Sequence, residues 1–343
     1  MIKLELRVQR VYFSQYMIDA NKPRPPVISG WQETLVSVAD LKYWANFYCS
    51  FAHWEIKYSG SVAKDRLAYM RVGSGGASEV LVGRSDASFG NVRLMQFDDA
   101  ANAPIIRPNG RPCDVGGWFD LNARVENIAK RLAELRDLGW NDVSDPIQYN
   151  FGSLTVKEWL AFGPDGVTLA LIERIHPPLE AAEQPGMLGK HFNSAQFVAD
   201  YAEARSFYED TLGFTPMVDI EDEPMLPEPG PNVLGLPEEL LNTQRWNVSM
   251  LKAPGSEGGS VEIVSLPGLA GRNFATRTDP PNRGIISHLF PVADIKALAA
   301  HLNRSDVSIV NPPTQVTLPP HGNMQLLTAR GPGGVRLDFF QSD

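Results

Sequence analysis

Apolar residues recur along this chain in short alternating runs that lead into helical spacing, and the same order returns several times. In VSVADLKYWANFY at 36–48 an alternating strand reaches Asp40 and continues as an amphipathic helix ending in Phe47-Tyr48. AQFVADYAEARSFYEDTLGF at 195–214 repeats that order around Asp200 and Phe207-Tyr208, an offset of 160 residues from Asp40. A second pattern, strand then Asp or Asn then a helix without the aromatic pair, occurs as DLNARVENIAKRLAELRDLGW at 120–140. It returns as HLFPVADIKALAAHLNRSDV at 288–307, and Asn127 and Asp294 are 167 apart. A turn followed by a strand, FGPDGVTLALIER at 162–174 and RGPGGVRLDFFQ at 330–341, gives an offset of 168. Three similar offsets in one order predict a duplicated unit of about 160–170 residues.

Each copy divides again. The helix starts at Asp40 and Asn127 are 87 residues apart and those at Asp200 and Asp294 are 94 apart. Every module has an Asp or Asn where a short side-chain oxygen would cap a helix, then apolar residues at helical spacing such as Ile128, Leu132, Leu135 and Leu138. Strand-like runs follow, among them SVEIVSLPG at 260–268 and MQLLTARG at 324–331, so the simplest unit is βαβββ. The repeats predict an N-terminal domain at 1–179 with modules at about 31–98 and 117–175, and a polar linker with Pro and Gly at 180–189. A C-terminal domain follows at 190–343, with modules at about 190–268 and 283–343.

Composition changes this picture little. A length of 343 residues suits two domains, and 43% hydrophobic with 21% charged content excludes a disordered or fibrous chain. A net charge of −9, with no Lys/Arg cluster, argues against a nucleic-acid partner. No run approaches the ~18 apolar residues of a membrane span. The opening MIKLELRVQRVYF lacks the apolar stretch of a signal peptide, so a cytoplasmic protein is expected. Cys49 and Cys113 read as packing residues, because two cysteines make neither a disulfide framework nor a thiolate zinc site. The 27 Pro and 29 Gly predict many turns.

Taken together, the V-A-D run ending at Phe47-Tyr48, its copy ending at Phe207-Tyr208 and continuing to Leu212-Gly213-Phe214, and the two G-P-x-G turns at 163–171 and 331–339 resemble the vicinal oxygen chelate superfamily. That superfamily includes glyoxalase I, bleomycin-resistance proteins, extradiol dioxygenases and methylmalonyl-CoA epimerase, and the resemblance runs from about residue 31 to 343. It implies an α+β fold of four βαβββ modules paired into two half-open barrels, each around a small-molecule pocket. It also implies metal ligands, His or Gln and then Glu, on the first and last strands of the modules. Such donors suit Fe, Mn, Ni or Zn with positions left open for substrate oxygens.

Carried over position by position, the first-strand ligand, seven residues before the capping residue, falls on Glu33, Asp120, Asn193 and Ser287. The last-strand ligand falls on Arg93, Ala170, Glu262 and Asp338, and no first-strand position is a histidine. In the N-terminal domain Arg93 stands where a metal carboxylate belongs, and Glu33 and Asp120 are expected to pair with it, in a structural ion cluster or an anion-selective pocket. In the C-terminal domain Glu262 and Asp338 are expected to meet on one barrel floor. Asn193 joins them there, with His288 if a bulge near Pro291 turns it inward, or His191, two residues before Asn193 on the same strand face.

The expected function is therefore enzymatic: a lyase, isomerase or ring-modifying activity on a small oxygenated metabolite, aromatic or otherwise. Glu262, Asp338, His288 and Asn193 are its candidate catalytic residues. The first three of these are alternatively ligands of a divalent metal. Two carboxylates close together in an apolar pocket also support acid–base chemistry without one, since they cannot both ionise easily. A non-catalytic binder of the bleomycin-resistance kind and an extradiol-type dioxygenase are the alternatives, and a homodimer is compatible with either. The acidic, Pro-rich segment 217–244 reads as a lid or as a solvated connection, and His321 in the Pro-rich loop 312–325 is within reach of a ligand. GSGGAS at 73–78 lacks the Lys of a phosphate-binding loop, and no nucleophile elbow occurs.

Overall fold

A computed structural model describes residues 5–6, 27, 29–151, 153–180, 183–226, 228–269 and 271–342. Most of the opening segment, and Ala181 and Ala182 of the expected linker, lie outside these described residues. The first module contains strands β1 (Glu33–Ser37), β2 (Glu55–Ser61), β3 (Ala77–Gly83) and β4 (Asn91–Phe97) with helices α1 (Leu41–Asn46) and α2 (Lys64–Met70). The second contains β5 (Asp120–Arg124), α3 (Ile128–Asp137), β6 (Ile147–Phe151), β7 (Leu154–Phe162) and β8 (Thr168–His176). The third has β9 (His191–Phe197), α4 (Tyr201–Ser206), β10 (Thr215–Pro224), β11 (Arg245–Lys252) and β12 (Ser260–Ser265). The fourth has β13 (Gly284–Pro291), α5 (Ile295–Arg304), β14 (Ile309–Thr317), β15 (Asn323–Arg330) and β16 (Arg336–Ser342).

The repeated Asp/Asn positions cap their helices. Asp40, Asn127, Asp200 and Asp294 accept from the backbone N–H of Tyr43, Lys130, Glu203 and both Lys296 and Ala297, at 2.9–3.1 Å. The Phe-Tyr pairs follow in one wide turn, Phe47–Phe51 and Phe207–Thr211, which buries Tyr48 and Tyr208 completely. In the two G-P-x-G turns Asp165 and Gly333 adopt φ of 56° and 63°, and the next glycines leave no room for a side chain. A Cβ on Gly166 would stand 2.2 Å from the Arg107 carbonyl, and one on Gly334 2.3 Å from that of Ala275. Leu138 corrects the helical reading: α3 ends at Asp137, and Leu138 is 40% exposed.

Within every module the first strand pairs in parallel with the last, and the remaining strands follow antiparallel. The modules do not pair as consecutive neighbours within a half. β5 pairs antiparallel with β9 and β13 with β1, giving one sheet from modules two and three and another from modules one and four. The order in the first sheet is β6-β7-β8-β5-β9-β12-β11-β10, with the short strands Glu5–Leu6 and Asn141–Asp142 added on β6 and β7, and in the second β14-β15-β16-β13-β1-β4-β3-β2. Alternation along the strands then sorts residues between cores. Val36, Leu94, Leu121, Ile263 and Leu337 join one large cluster shared by all four modules and the helices. Leu35, Met95 and Leu326 join a cluster confined to modules one and four, and Ala195, Val248 and Val264 one confined to modules two and three. Each sheet therefore curls around its own inner face while the two sheets share their other faces. Among the described residues no helix is long and apolar enough to cross a membrane.

Candidate functional site

The eight positions selected from the repeat occupy one register. Arg93, Ala170, Glu262 and Asp338 lie opposite Leu35, Asn122, Ala195 and Leu289, in each case two residues beyond the first-strand position of the same module. Module exchange regroups them. Asp120, Ala170, Asn193 and Glu262 share the inner face of the first sheet, and Glu33, Arg93, Ser287 and Asp338 that of the second. Glu262 and Asp338 thus belong to different sheets, and Asp120 is remote from Arg93. The expected meeting of the first pair and ion pair of the second do not occur, because each barrel is completed across the duplication.

The first inner face holds a cavity of about 140 Å³, walled by apolar side chains such as Phe119, Phe197, Trp246 and Val248. Asp120, on β5, accepts at Oδ1 from the Asn122 amide at 2.7 Å and the Ala195 N–H at 2.8 Å. Asn193 donates to Glu262 Oε2 at 2.9 Å, its own oxygen being held by Ser260 at 2.8 Å. Two further groups come from the middle strands: Glu158 on β7, and Tyr149 on β6, whose hydroxyl donates to it. Among the described residues no Lys, Arg or His forms an ion pair with Asp120, Glu158 or Glu262. Burial pushes the Glu262 carboxyl up to about 8, helped by the neighbouring charges of Asp120 and Glu158 and opposed by Asn193. Burial likewise brings Asp120 up to about 7 against the Ala195 hydrogen bond, and raises Glu158.

Residues of the acidic, Pro-rich segment cover this cavity, which favours the lid reading over a solvated connection. Met225, Leu226, Val233 and Leu234 line it, Leu241 anchors the segment in the core, and Ser144 donates to the Val233 carbonyl at 2.6 Å. Pro227 lies outside the described residues.

The second inner face is filled. Arg93 contacts Glu33 at 2.9 Å and Glu79 at 3.3 Å, and Arg66 reaches Glu79 at 2.5 Å. His321 also pairs with Glu33, and Arg93 donates to the Pro319 carbonyl at 2.8 Å, so the Pro-rich loop closes over the network. Asp338 accepts from Ser287 and from Thr328, each at 2.5 Å. The space left is about 20 Å³, the room of one water. Burial alone would raise the Glu33 carboxyl; the Arg93 guanidinium and His321 override it and hold it at about 2.

Residues 190–339, the third and fourth modules, match the family model Glyoxalase/Bleomycin resistance protein/Dioxygenase superfamily. The fold is similar to glyoxalase I from Zea mays, with TM-score 0.61 and 14% identity over 92% of each chain. It is also similar to a candidate dioxygenase from Bacillus subtilis, with TM-score 0.55 and 10% identity over 94% of this chain and 86% of the other. Residues 190–339 thus carry that superfamily's sequence pattern, and the chain as a whole shares its fold. No relative was found among curated protein sequences.

The superfamily's metal does not suit the donors found at its usual positions. In the first face Ala170 offers no donor, Asn193 turns its N–H toward Glu262, and one oxygen of each carboxylate is already held by an amide. In the second the Arg93 guanidinium occupies the place of a cation. Among the described residues no three His, Cys, Asp or Glu side chains are grouped to hold a metal ion. The expected metal set of Glu262, Asp338 and His288 is therefore not assembled.

Both candidate histidines point away from the inner faces. The register of β13 shifts between Ile285 and Ser287, before Pro291, and it is Ser287 that faces inward. His288 is buried between Trp31 and Trp118, its Nδ1 sharing a 2.8 Å hydrogen bond with Thr34. A second shift, between His191 and Asn193, turns His191 onto Tyr48 and Trp54. Burial lowers both, His191 to about 3 and His288 well below its usual range. Glu158 and Tyr149 lie on middle strands, whereas the superfamily's pattern places ligands on first and last strands. A signal was present: Glu158 shares strand parity with the buried Val156 and Leu160, so a carboxylate interrupts an inward apolar row.

Proposed function

We propose that the cavity between modules two and three is an acid–base site for a small oxygenated molecule with an apolar body, performing isomerase- or lyase-type chemistry. The observation that carries this reading is the gathering of Asp120, Glu158 and Glu262, without a paired cation among the described residues, in one apolar cavity. Near neutral pH such a group holds at least one carboxylic acid beside one carboxylate. The carboxylate removes a proton from carbon next to a carbonyl, and the acid donates its proton to the carbonyl oxygen, giving an enol. Returning a proton to the neighbouring carbon isomerises the molecule, and expelling a β-substituent completes an elimination. Asn193 and Asn122 hold Glu262 and Asp120 in place as positioning residues. The step uses no metal, in keeping with the donors described above.

Incubating the protein with small α-hydroxy ketones and aryl-substituted α-amino ketones in D2O tests this. Proton NMR should show exchange at the carbon next to the carbonyl for one class, reduced at least 100-fold in Glu262→Gln or Asp120→Asn. Ligand binding without exchange would instead favour sequestration of the bleomycin-resistance kind, a reading supported by the covering segment and apolar walls.

A further inference from the structure

The acid–base reading leaves open what the cavity recognises, and its charge distribution bears on that question. Asp120 lines the cavity and is 4% exposed, and its Oδ2 has no hydrogen bond or ion pair among the described residues. Glu262 and Glu158 each have one oxygen bonded, by Asn193 and Tyr149, and the other without a partner among the described residues. The protein thus bonds these carboxylates only with neutral amides and a phenol, and Arg107, over the Phe119 ring at 5.1 Å, acts on Asp120 only through space. Around them stand the rings of Phe119, Phe197 and Trp246. Aromatic faces attract cations, and a carboxylate cluster repels anions at any separation available inside a low-dielectric pocket. The second inner face shows the same fold satisfying buried carboxylates with Arg93 and Arg66 from within the chain. In the first face that role is open to a ligand. A cavity of about 150 Å³ admits a benzene ring, and the 140 Å³ here is of that size.

We infer that the molecule taken by this cavity carries a protonated amine on a body the size of one ring, its ammonium group resting among Asp120, Glu158 and Glu262. This inference rests on the cavity being the functional site proposed above and adds the charge of its substrate. Binding has a proton balance: an ammonium entering beside a carboxylic acid lowers that acid's pKa, so the acid ionises and its proton passes to solvent.

Three probes of nearly equal shape separate charge from shape: benzylamine, benzyl alcohol and benzoate. Isothermal titration at pH 7.5, in two buffers of different ionisation enthalpy, is expected to show benzylamine binding at least tenfold tighter than benzyl alcohol, with net proton release. Benzoate should not bind. Asp120→Asn and Glu262→Gln, which keep the size of each side chain, should weaken benzylamine at least tenfold while leaving benzyl alcohol within about threefold. Benzyl alcohol binding as tightly as benzylamine, or preference for benzoate, overturns the cationic substrate while the D2O exchange test of the site stands unaffected. Benzylamine affinity unchanged in both variants, or no binding by any probe to the folded wild-type chain, also overturns it. If exchange is absent as well, the site itself falls.

Discussion

The two inner faces of this molecule are built from strands in the same order and register, yet one is an open acidic cavity and the other a closed ion network. At the last-strand position of the module that leads each face, Arg93 stands in one and Ala170 in the other. The guanidinium brings Glu33 down to about 2, whereas without one Glu262 rises to about 8. One residue's charge and length therefore go far towards deciding whether a face is filled or available. Backbone architecture sets where carboxylates converge, and the side chain opposite them decides whether they are structural or chemical.

Removing the arginine should break this contrast most strongly. Arg93→Leu leaves Glu33 and Glu79 buried without their shared partner, and loss of one member of a buried pair costs about 3–5 kcal/mol. Urea unfolding should show that loss, and Glu33→Gln added to Arg93→Leu should recover part of it. Full stability in the single variant would show that the network does not hold the second face together. The reciprocal change, Ala170→Arg, places a guanidinium opposite Asn122 in the open face. Overpacking there costs about 1–3 kcal/mol, partly offset by pairing with Glu262 or Asp120. Ligand binding should fall at least tenfold, and the Glu262 carboxyl should titrate below neutral by NMR.

Acidity should separate the two faces by sign. Glu262 has an ordinary value of 4.5 and a folded value of about 8, and Asp120 moves from 3.8 to about 7. Between these limits the unfolded chain has released protons that the folded chain keeps, so both residues make the protein less stable as pH rises from about 4 to 8. Glu33 acts in the opposite way: its contribution is complete above 4.5 and is lost as pH falls towards 2. Glu262→Gln should therefore stabilise the protein at pH 8 relative to pH 5, by on the order of 2 kcal/mol. Glu33→Gln should destabilise it at pH 7 and matter little near pH 2. Parallel pH profiles of unfolding for wild type and both variants would contradict this assignment.

The fold was legible because its signals are local and repeated. Caps at Asp40, Asn127, Asp200 and Asp294, the Phe-Tyr turns, and glycines such as Gly166 and Gly334 that cannot carry a side chain mark the modules directly in the sequence. The register of all eight inner-face positions was legible for the same reason. What could not be read was which modules meet: β5–β9 and β13–β1 pairing depends on contacts between first strands whose sequences look equally suited to either partner. That choice moved Asp338 away from Glu262 and brought Asp120 to it. His191 was misplaced by a single-residue register shift, which no alternation pattern reveals, whereas His288 stays where alternation beside Ser287 puts it because the strand keeps its register from Ser287 to Pro291. Glu158 and Glu79 lie on middle strands, where the family pattern places no ligand, although both interrupt buried rows.

The smallest expected effect concerns how much of the closed face is owed to its covering loop. His321 reaches Glu33 from the tip of the Pro-rich loop and is 41% exposed at its side chain, so water competes for the contact. Arg93, by contrast, is enclosed and lies on two carboxylates. Exposed pairs of this kind contribute about 0.2–1 kcal/mol, and His321→Ala should destabilise by no more than that in urea. Glu33 should still titrate below its ordinary 4.5 in the variant, because the larger opposing influence is Arg93. If His321→Ala instead cost as much as Arg93→Leu, or returned Glu33 to the usual carboxylate range, the loop rather than the arginine would be what distinguishes the filled face from the open one.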